Sequence, residues 1–211
     1  MANFVRRCGI SPLTNCWKTK LGNNVYAIMP AHVAIYKQQN EEWRPSQYLK
    51  ACGKLEWNIS SNWKSESLIK NDFAWAKIPS SSPLLTDYFS DTSLSLSDPI
   101  DGNFYFNQPF DMNGRLAKVP TLGKVKGIVY PSPNSNFLES IGIGFRGMSG
   151  AVCIDDHNKM IGMFVRRGTD LGTHRSEALI KNGSTLPMRR GIIIPPNEML
   201  KHIEEGGEQI T

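Results

Sequence analysis

The sequence has no apolar run that approaches the ~20 residues needed by a membrane-spanning helix. Its N-terminus places Arg6 and Arg7 directly after a few apolar residues. It therefore lacks the apolar core of about 7–15 residues that a secretory signal requires. From these absences we expect no membrane span in this chain and a cytoplasmic location.

Cysteine is scarce, with four residues at Cys8, Cys16, Cys52 and Cys153. None of them forms the Cys-x-x-Cys spacing of zinc or redox sites. Disulfides are typical of exported proteins, and no export signal accompanies these residues. We expect the four thiols to be reduced and mostly buried.

Acidic residues are fewer than basic ones, which gives a formal net charge of +5. The basic residues are scattered as short pairs, at 6–7, 166–167 and 189–190. Scattered pairs favour a solvated basic surface over a dedicated nucleic-acid patch, so weak nucleic-acid binding is only the alternative.

Short segments rich in β-branched and aromatic residues, bounded by Gly, Pro, Asn or Asp, predict an all-β chain. The predicted strands are 24–29, 73–78, 103–106, 124–130 and 160–165. Turn chemistry at 22–24 and 155–159 predicts two hairpins. A helix is predicted at 198–205, with Asn197 as its N-cap and Gly206-Gly207 as its stop.

A Ser- and Pro-rich stretch with weak periodicity runs from 79 to 99 and predicts a crossing between two halves. We expect an N-terminal unit over 1–85, a linker over 86–100 and a C-terminal unit over 101–211.

Three short motifs stand out along the chain: Ala31-His32 after a predicted strand, Asn71-Asp72 before another, and Gly147-Met148-Ser149-Gly150. Each has an ordinary reading by itself. His32 could be a hydrogen-bonded core histidine, Asp72 a turn cap, and Ser149 a loop residue. Their occurrence in one order within an all-β chain is much harder to explain in this way.

In that order the motifs resemble those of the chymotrypsin-like serine peptidases, from about Gly22 to the C-terminal helix. The resemblance implies two six-stranded antiparallel β-barrels with a C-terminal helix and no metal or organic cofactor. It makes His32 the general base, Asp72 its orienting carboxylate and Ser149 the nucleophile. The N–H groups of Gly147 and Ser149 would form the oxyanion hole.

The departures from the familiar secreted enzymes are informative. Met148 stands where those enzymes carry an aspartate that pairs with a new N-terminus, so activation by that route is not expected. Cys16 has no partner just beyond His32, where Val33 stands. These features resemble the processing peptidases of positive-strand RNA viruses, which implies a polypeptide substrate, the chain's own polyprotein included, in host cytoplasm. The alternatives are an inactive binding domain of the same fold, for example for RNA, and a cellular or bacterial trypsin-like peptidase.

In the resembling family the primary specificity pocket is lined by residues just before the nucleophile and by a later strand, here 141–145 and 162–166. The expected lining residues are Ile143, Gly144, Gly162, Met163, Phe164, Val165, Arg166 and His174. Neither segment contains an acidic residue, so a Lys or Arg side chain would be buried without a counter-charge. Gln or Glu before the scissile bond is the expected preference, with Arg166 and His174 as donors. His157, His174 and His202 lack the motif context of His32, and we expect them at the surface.

Overall fold

Strands dominate the part of the chain that can be described. The computed structural model describes residues 15–37, 43–46, 49, 54–61, 63, 71–90, 96–110, 116–132, 136–141, 147–168 and 190–210. Strands and turns account for most of these ranges, and helical residues are confined to short segments. The prediction of an all-β chain is therefore confirmed.

The N-terminal half forms an antiparallel sheet in the order β1-β2-β6-β5-β13. Its strands are β1 (Trp17–Leu21), β2 (Asn24–Met29), β5 (Trp57–Ser60), β6 (Ala74–Lys77) and β13 (Gly207–Gln209). The end of the chain thus returns to this sheet, where β13 pairs with β5. A separate two-stranded ladder joins β3 (Ile35–Lys37) to β4 (Trp43–Pro45).

The C-terminal half forms a closed six-stranded barrel in the order β10-β11-β12-β9-β8-β7. Its strands are β7 (Ile100–Phe110), β8 (Leu116–Pro131), β9 (Leu138–Ile141), β10 (Val152–Ile154), β11 (Met160–Gly168) and β12 (Arg190–Ile194). Side chains of period-two strands alternate between the two faces of a sheet, so one face of each strand fills the barrel interior. Phe104, Ile161 and Ile193 are fully buried in one interior cluster.

One of the two predicted barrels is thus present. Among the described residues, the N-terminal half is a five-stranded sheet with a neighbouring hairpin, so closure of a second barrel stays a prediction. The predicted limits of the two units and the linker also stay predictions. Between β6 and β7 the described residues form turns and one isolated bridge, from Thr19 to Phe89.

Both predicted hairpins are confirmed. Leu21 pairs with Asn24 across the β1–β2 turn, in which Gly22 adopts a left-handed φ of +58°. The turn between β10 and β11 contains Asn158, whose φ is +62°. Asparagine accepts this backbone region more readily than most residues.

The C-terminal helix is present, but its predicted start is wrong. Helix α2 spans Pro196–Glu205, its N-cap is Pro195, and no side chain caps it. Pro at the first helical position loses no hydrogen bond, because that N–H has no helical partner in any case. Asn197 lies inside the first turn and is not the cap, whereas Gly206 ends the helix at φ +78°, as predicted.

The predicted surface position of His202 is also wrong. Its side chain is buried on the inner face of α2, and its ring centroid lies 6.0 Å from that of Phe73. The His202 ring thus packs beside Phe73, which itself stacks on Trp75. His157 is exposed in the β10–β11 turn, as expected, and His174 lies outside the described residues.

Cys16 and Cys153 are both buried. Cys153 is a free thiol on β10, and burial, assisted by the charge of Asp155, raises its pKa well above the ordinary value. Cys8 and Cys52 lie outside the described residues. Among the helices that the structure describes, none is long and apolar enough to cross a membrane.

Candidate active site

His32 lies on α1 (Ala31–Ala34), a single helical turn between β2 and β3. The carbonyl of Pro30 accepts hydrogen bonds from the N–H groups of Val33 and Ala34 at 3.0 and 3.1 Å. Ala31 and Ala34 are completely buried, and their small side chains let the turn pack against the sheet. This packing leaves the His32 side chain 35% exposed, so it is accessible from solvent.

Asp72 is completely buried at the start of the segment that leads into β6. On one side, the Asn71 side chain donates a hydrogen bond to the carbonyl of Ser61 at 3.1 Å. On the other, Phe73 is completely buried and stacks on Trp75, with ring centroids 5.3 Å apart. Both neighbours are therefore fixed, which fixes the direction of the carboxylate between them.

His32 and Asp72 meet through two hydrogen bonds. Asp72 Oδ2 lies 2.7 Å from His32 Nδ1, and Oδ1 accepts the backbone N–H of His32 at 3.0 Å. An ionised carboxylate can only accept, so Nδ1 carries the proton and Nε2 of a neutral ring is left as the acceptor. This is the tautomer that a general base requires.

Arg166 is the second partner of the buried carboxylate. Its Nε and Nη2 donate to Asp72 Oδ2 at 3.1 and 2.8 Å. Burial is the largest influence on the pKa of Asp72 and raises it, but four lowering effects together outweigh it. These are the His32 side-chain hydrogen bond, the charges of His32 and Arg166, and the His32 backbone N–H, and the pKa ends below its ordinary value. Asp72 is therefore a carboxylate near neutral pH.

Residues 147–150 are named the nucleophile turn here after the predicted role of Ser149. The turn is bent by two glycines in the left-handed region, Gly147 at φ +91° and Gly150 at φ +83°. Met148 points the other way and is completely buried in the barrel interior. Its carbonyl accepts the N–H of Ala151 at 2.7 Å. Ser149 is half-buried at the outer side of this turn.

The nucleophile turn is attached to β11, the strand that also carries Arg166. Gly150 donates its N–H to the carbonyl of Phe164 at 2.7 Å, and Phe164 donates to Ala151 at 2.8 Å. Two residues further along β11, Arg166 reaches Asp72. One strand therefore connects the Ser149 turn to the His32–Asp72 pair.

The same turn also packs against the segment that leads to His32. A Cβ added at Gly150 would lie 3.0 Å from Pro30 Cδ and 2.5 Å from the carbonyl oxygen of Asn15. Pro30 is two residues before His32, so Gly150 is in van der Waals contact with the base of α1. Only glycine fits here, because any side chain would meet backbone.

The expected pocket residues are divided between the barrel core, the Asp72 contact and the part of the chain that is not described. Met163, Phe164 and Val165 are buried in the apolar clusters of the barrel. Gly162 packs against Ile193 and Ile194, which leave no room for a Cβ. Ile143, Gly144 and His174 lie outside the described residues. The specificity pocket itself stays a prediction.

Two residues that contact the nucleophile turn are not predicted by the sequence motifs. Asn15 donates to the carbonyls of Gly147 and Ser149, and Trp17 Nε1 donates to the carbonyl of Gly150. No local pattern signals either contact, because each joins residues more than a hundred positions apart. The Arg166–Asp72 contact, between residues 94 positions apart, has no local sequence pattern either.

Chemically, the site offers an imidazole held through Nδ1 by a buried carboxylate, together with a serine on a turn that is bent by two glycines. This combination suits nucleophilic acyl transfer. Among the residues that the structure describes, no group of His, Cys, Asp and Glu is arranged to hold a metal ion.

Comparison with known proteins gives likeness in structure and not in sequence. No family model matches the sequence, and no curated protein sequence matches it. A Glu endopeptidase structure matches with a TM-score of 0.56 at 12% identity, covering 97% of this chain and 94% of that chain. The thermostable serine protease AL20 from an extremophilic microorganism matches with a TM-score of 0.51 at 10% identity, covering 89% and 86%.

The serine protease domain of the Sesbania mosaic virus polyprotein matches with a TM-score of 0.47 at 17% identity, covering 88% of this chain and 85% of that chain. Identities this low concern the fold alone, and a function has to be argued from the site. The resemblance seen in the motifs is confirmed at the level of the fold. This chain has the fold of the chymotrypsin-like serine proteases.

Proposed function

We propose that this protein is a serine endopeptidase that uses Ser149 as nucleophile, His32 as general base and Asp72 as the orienting carboxylate. The observation that carries the proposal is the pairing of His32 with Asp72 through both carboxylate oxygens, at 2.7 and 3.0 Å. A merely structural histidine would not need to be oriented at two points by a buried charge while about a third of its side chain stays exposed to solvent.

The position of Ser149 supports its part in the proposal. Its neighbour Gly150 contacts Pro30 at the base of α1, and the same turn is hydrogen-bonded to β11, which reaches Asp72 through Arg166. Three segments that are far apart in sequence thus come together around the pair. Ser149 is the only hydroxyl within the 147–150 turn.

In the proposed reaction, His32 Nε2 takes the Ser149 Oγ proton as the oxygen attacks the scissile carbonyl carbon. The N–H groups of Gly147 and Ser149 bind the oxyanion that develops. When the C–N bond breaks, the amine leaves with the proton from His32, and an acyl group stays on Ser149. Water, activated by the same imidazole, then attacks the acyl carbon and releases the acid.

We further propose that the substrate is a viral polyprotein in host cytoplasm and that uncharged or acidic residues are preferred before the scissile bond. The absence of the zymogen aspartate at Met148 supports the first part, and the absence of acidic residues at 162–166 supports the second. Arg166 adds a positive charge in this segment.

A binding domain with the same fold, for RNA or another anionic partner, is the rival function. A binding function does not require an ionised Asp72 beside His32. The orientation of the pair favours the peptidase, because a binding surface gains nothing from fixing an imidazole tautomer.

The test is covalent labelling with a fluorophosphonate followed by mass spectrometry of the labelled peptide, together with hydrolysis of a peptide library. We expect the label on Ser149 and none in Ser149→Ala, which should also lose about 1000-fold or more of its peptidase activity. Circular dichroism should show Ser149→Ala to be folded, since no core cavity is opened. Labelling elsewhere, or equal hydrolysis by Ser149→Ala, would contradict the proposal.

A further inference from the structure

Asn15 is a buried residue just before β1. Both polar atoms of its side chain form hydrogen bonds, two to the nucleophile turn and one to β7. Its Nδ2 donates to the carbonyl of Gly147 and to the carbonyl of Ser149, both at 2.9 Å. Its Oδ1 accepts the backbone N–H of Asn107 on β7 at 2.6 Å. One amide group therefore joins the segment before β1 to the nucleophile turn and to the barrel wall.

The two carbonyls that accept hydrogen bonds from Asn15 belong to the peptides directly before and directly after the Met148–Ser149 peptide. In a trans peptide the C=O and the following N–H point in opposite directions. When the Gly147 carbonyl turns toward Asn15, the Met148 N–H turns away from it. When the Ser149 carbonyl turns toward Asn15, the Gly150 N–H turns away as well, and it meets the carbonyl of Phe164 at 2.7 Å.

The peptide between these two carries the Ser149 N–H, one of the two proposed oxyanion donors. Its carbonyl, that of Met148, accepts the Ala151 N–H at 2.7 Å, so the Ser149 N–H must point the opposite way. The Gly150–Ala151 peptide is fixed by Trp17, whose Nε1 donates to the Gly150 carbonyl at 2.6 Å. The carbonyls of residues 147–150 are thus each occupied by a donor, so the peptides around Ser149 are fixed and the Met148 carbonyl sets the direction of the Ser149 N–H.

From this arrangement we infer that Asn15 is a positioning residue for the oxyanion hole. This inference rests on the proposed peptidase function and extends it to a residue of the N-terminal half. Asn15 acts through the peptide planes at Gly147 and Ser149 and does not touch the substrate. By fixing these planes before substrate binds, it spares the reaction the reorganisation of its oxyanion donors.

A purely structural reading makes a different prediction. If Asn15 only ties two parts of the fold together, its loss should lower stability and leave the turnover of folded enzyme unchanged. Asn103 provides the matched control. Asn103 is also a buried asparagine, and it lies on β7. Its Nδ2 donates a hydrogen bond to Asp156 in the β10–β11 turn, away from the nucleophile turn.

The experiment compares Asn15→Leu and Asn15→Asp with Asn103→Leu. Asn15→Leu keeps the branched arrangement of heavy atoms and has no donor, and Asn15→Asp keeps the shape but places a carboxylate against two carbonyls. We expect kcat of both Asn15 variants to fall by about 10–1000-fold, since loss of an oxyanion donor itself costs about 100–1000-fold and a displaced donor is only partly lost. KM should stay within about 3-fold, since ground-state binding is not affected. Asn103→Leu should lose stability and keep its kcat.

A peptide boronate supplies a second readout, because its adduct on Ser149 places an oxygen at the oxyanion donors. Its affinity should fall in step with kcat in the Asn15 variants, while a product peptide should bind as it does to the parent. If kcat and boronate affinity of the folded Asn15 variants equal those of Asn103→Leu, the inference is overturned. If neither Asn15 variant folds, it is also overturned, because Asn15 would then be a residue of the fold.

A crystal structure of Asn15→Asp separates this inference from the proposed function. We expect the Gly147–Met148 and Ser149–Gly150 peptides to be turned from their parent orientation, and unchanged peptides would overturn the inference even in an active enzyme. If these peptides turn but the parent neither hydrolyses peptides nor takes the label, the proposed function fails while the positioning role of Asn15 stands.

Discussion

Arg166 and His32 share one oxygen of Asp72. Oδ2 accepts hydrogen bonds from Arg166 Nε and Nη2 at 3.1 and 2.8 Å and from His32 Nδ1 at 2.7 Å. The carboxylate is completely buried, whereas the Arg166 side chain is 34% exposed. Arg166 therefore brings a partly solvated cation from the barrel to a buried charge and offsets the desolvation of Asp72.

The first prediction concerns the strength of this contact. Arg166→Met removes two hydrogen bonds to a charged group and should lower the free energy of unfolding by about 1–3 kcal/mol. Arg166→Lys should recover part of the loss, because an ammonium keeps the charge but not the planar fork. Urea unfolding at pH 7 measures both. In an Asp72→Asn background the effect of Arg166→Met should shrink, and an equal loss in both backgrounds would show that Arg166 stabilises the fold by packing alone.

The second prediction concerns acid. The pKa of Asp72 is lower in the folded protein than the ordinary value of 3.8. A group with a depressed pKa stabilises the fold above its unfolded value and loses that contribution as pH falls through its folded value. The difference in unfolding free energy between the parent and Asp72→Asn should narrow as the pH falls below 3.8.

Urea unfolding of the two proteins between pH 7 and pH 2 measures this narrowing. Asp98→Asn is the control, since Asp98 is an exposed residue between β6 and β7. Its difference from the parent should stay small across the same range. A parent-to-Asp72→Asn difference that widened on acidification would mean that the pKa of Asp72 is raised and that the His32 and Arg166 contacts do not offset its burial.

Much of this molecule could be predicted from local patterns. The β2 strand, both hairpins and the helix stop at Gly206 follow from alternation and turn chemistry at neighbouring positions. The start of α2 was misplaced because a side-chain cap was expected where Pro196 simply begins the helix. His202 was misplaced because helix periodicity does not show which face another element covers.

The same difference between local and long-range signals applies to the candidate site. The sequence motifs at His32, Asp72 and Ser149 select the residues, since each motif is local. The partners of those residues are not local: Arg166 reaches Asp72 and Asn15 reaches Gly147 only after the barrel has closed. A pattern within a few residues of either partner contains no sign of these contacts, so they require the structure.

The third prediction concerns the glycine after the nucleophile. Gly150→Ala would place a Cβ 2.5 Å from the Asn15 carbonyl oxygen at a left-handed φ of +83°. Gly206→Ala is the comparison without a steric clash, because Gly206 also has a positive φ, +78°, and nothing lies within 4 Å of an added Cβ. With ψ at 169°, Gly206 occupies a region that is nearly restricted to glycine, and such backbone strain costs about 1–3 kcal/mol. Gly206→Ala should lose about that much in urea unfolding and keep full activity.

Gly150→Ala should lose more stability than Gly206→Ala and most of its peptidase activity, since the added carbon pushes the turn away from Asn15. If the two variants had equal stability and equal activity, the close packing between Gly150 and the segments at Asn15 and Pro30 would be disproved.

The fourth prediction concerns the buried thiol. Burial raises the pKa of Cys153, and the thiolate is the reactive form, so Cys153 should react slowly with iodoacetamide in the folded protein and rapidly in urea. We expect a difference in rate of about 100-fold or more, read by mass spectrometry of the Cys153 peptide. Peptidase activity should be unchanged in excess dithiothreitol. Loss of activity on reduction would point to a disulfide that supports the site.

The last prediction concerns the residue before the scissile bond. The 162–166 segment contains no acidic side chain, and the nearest buried carboxylate, Asp72, already binds both His32 and Arg166. A substrate Lys or Arg would therefore be desolvated near a fixed cation without a counter-charge, at a cost of several kcal/mol. In a peptide library randomised at that position, Lys and Arg should be cleaved at least about 100-fold more slowly than Gln or Glu, in terms of kcat/KM. Arg166→Met should reduce this discrimination. Strong selection of Lys or Arg by the parent would mean that another strand lines the pocket, whereas selection of large apolar residues would remove Arg166 from the pocket and leave its contact with Asp72 as its role.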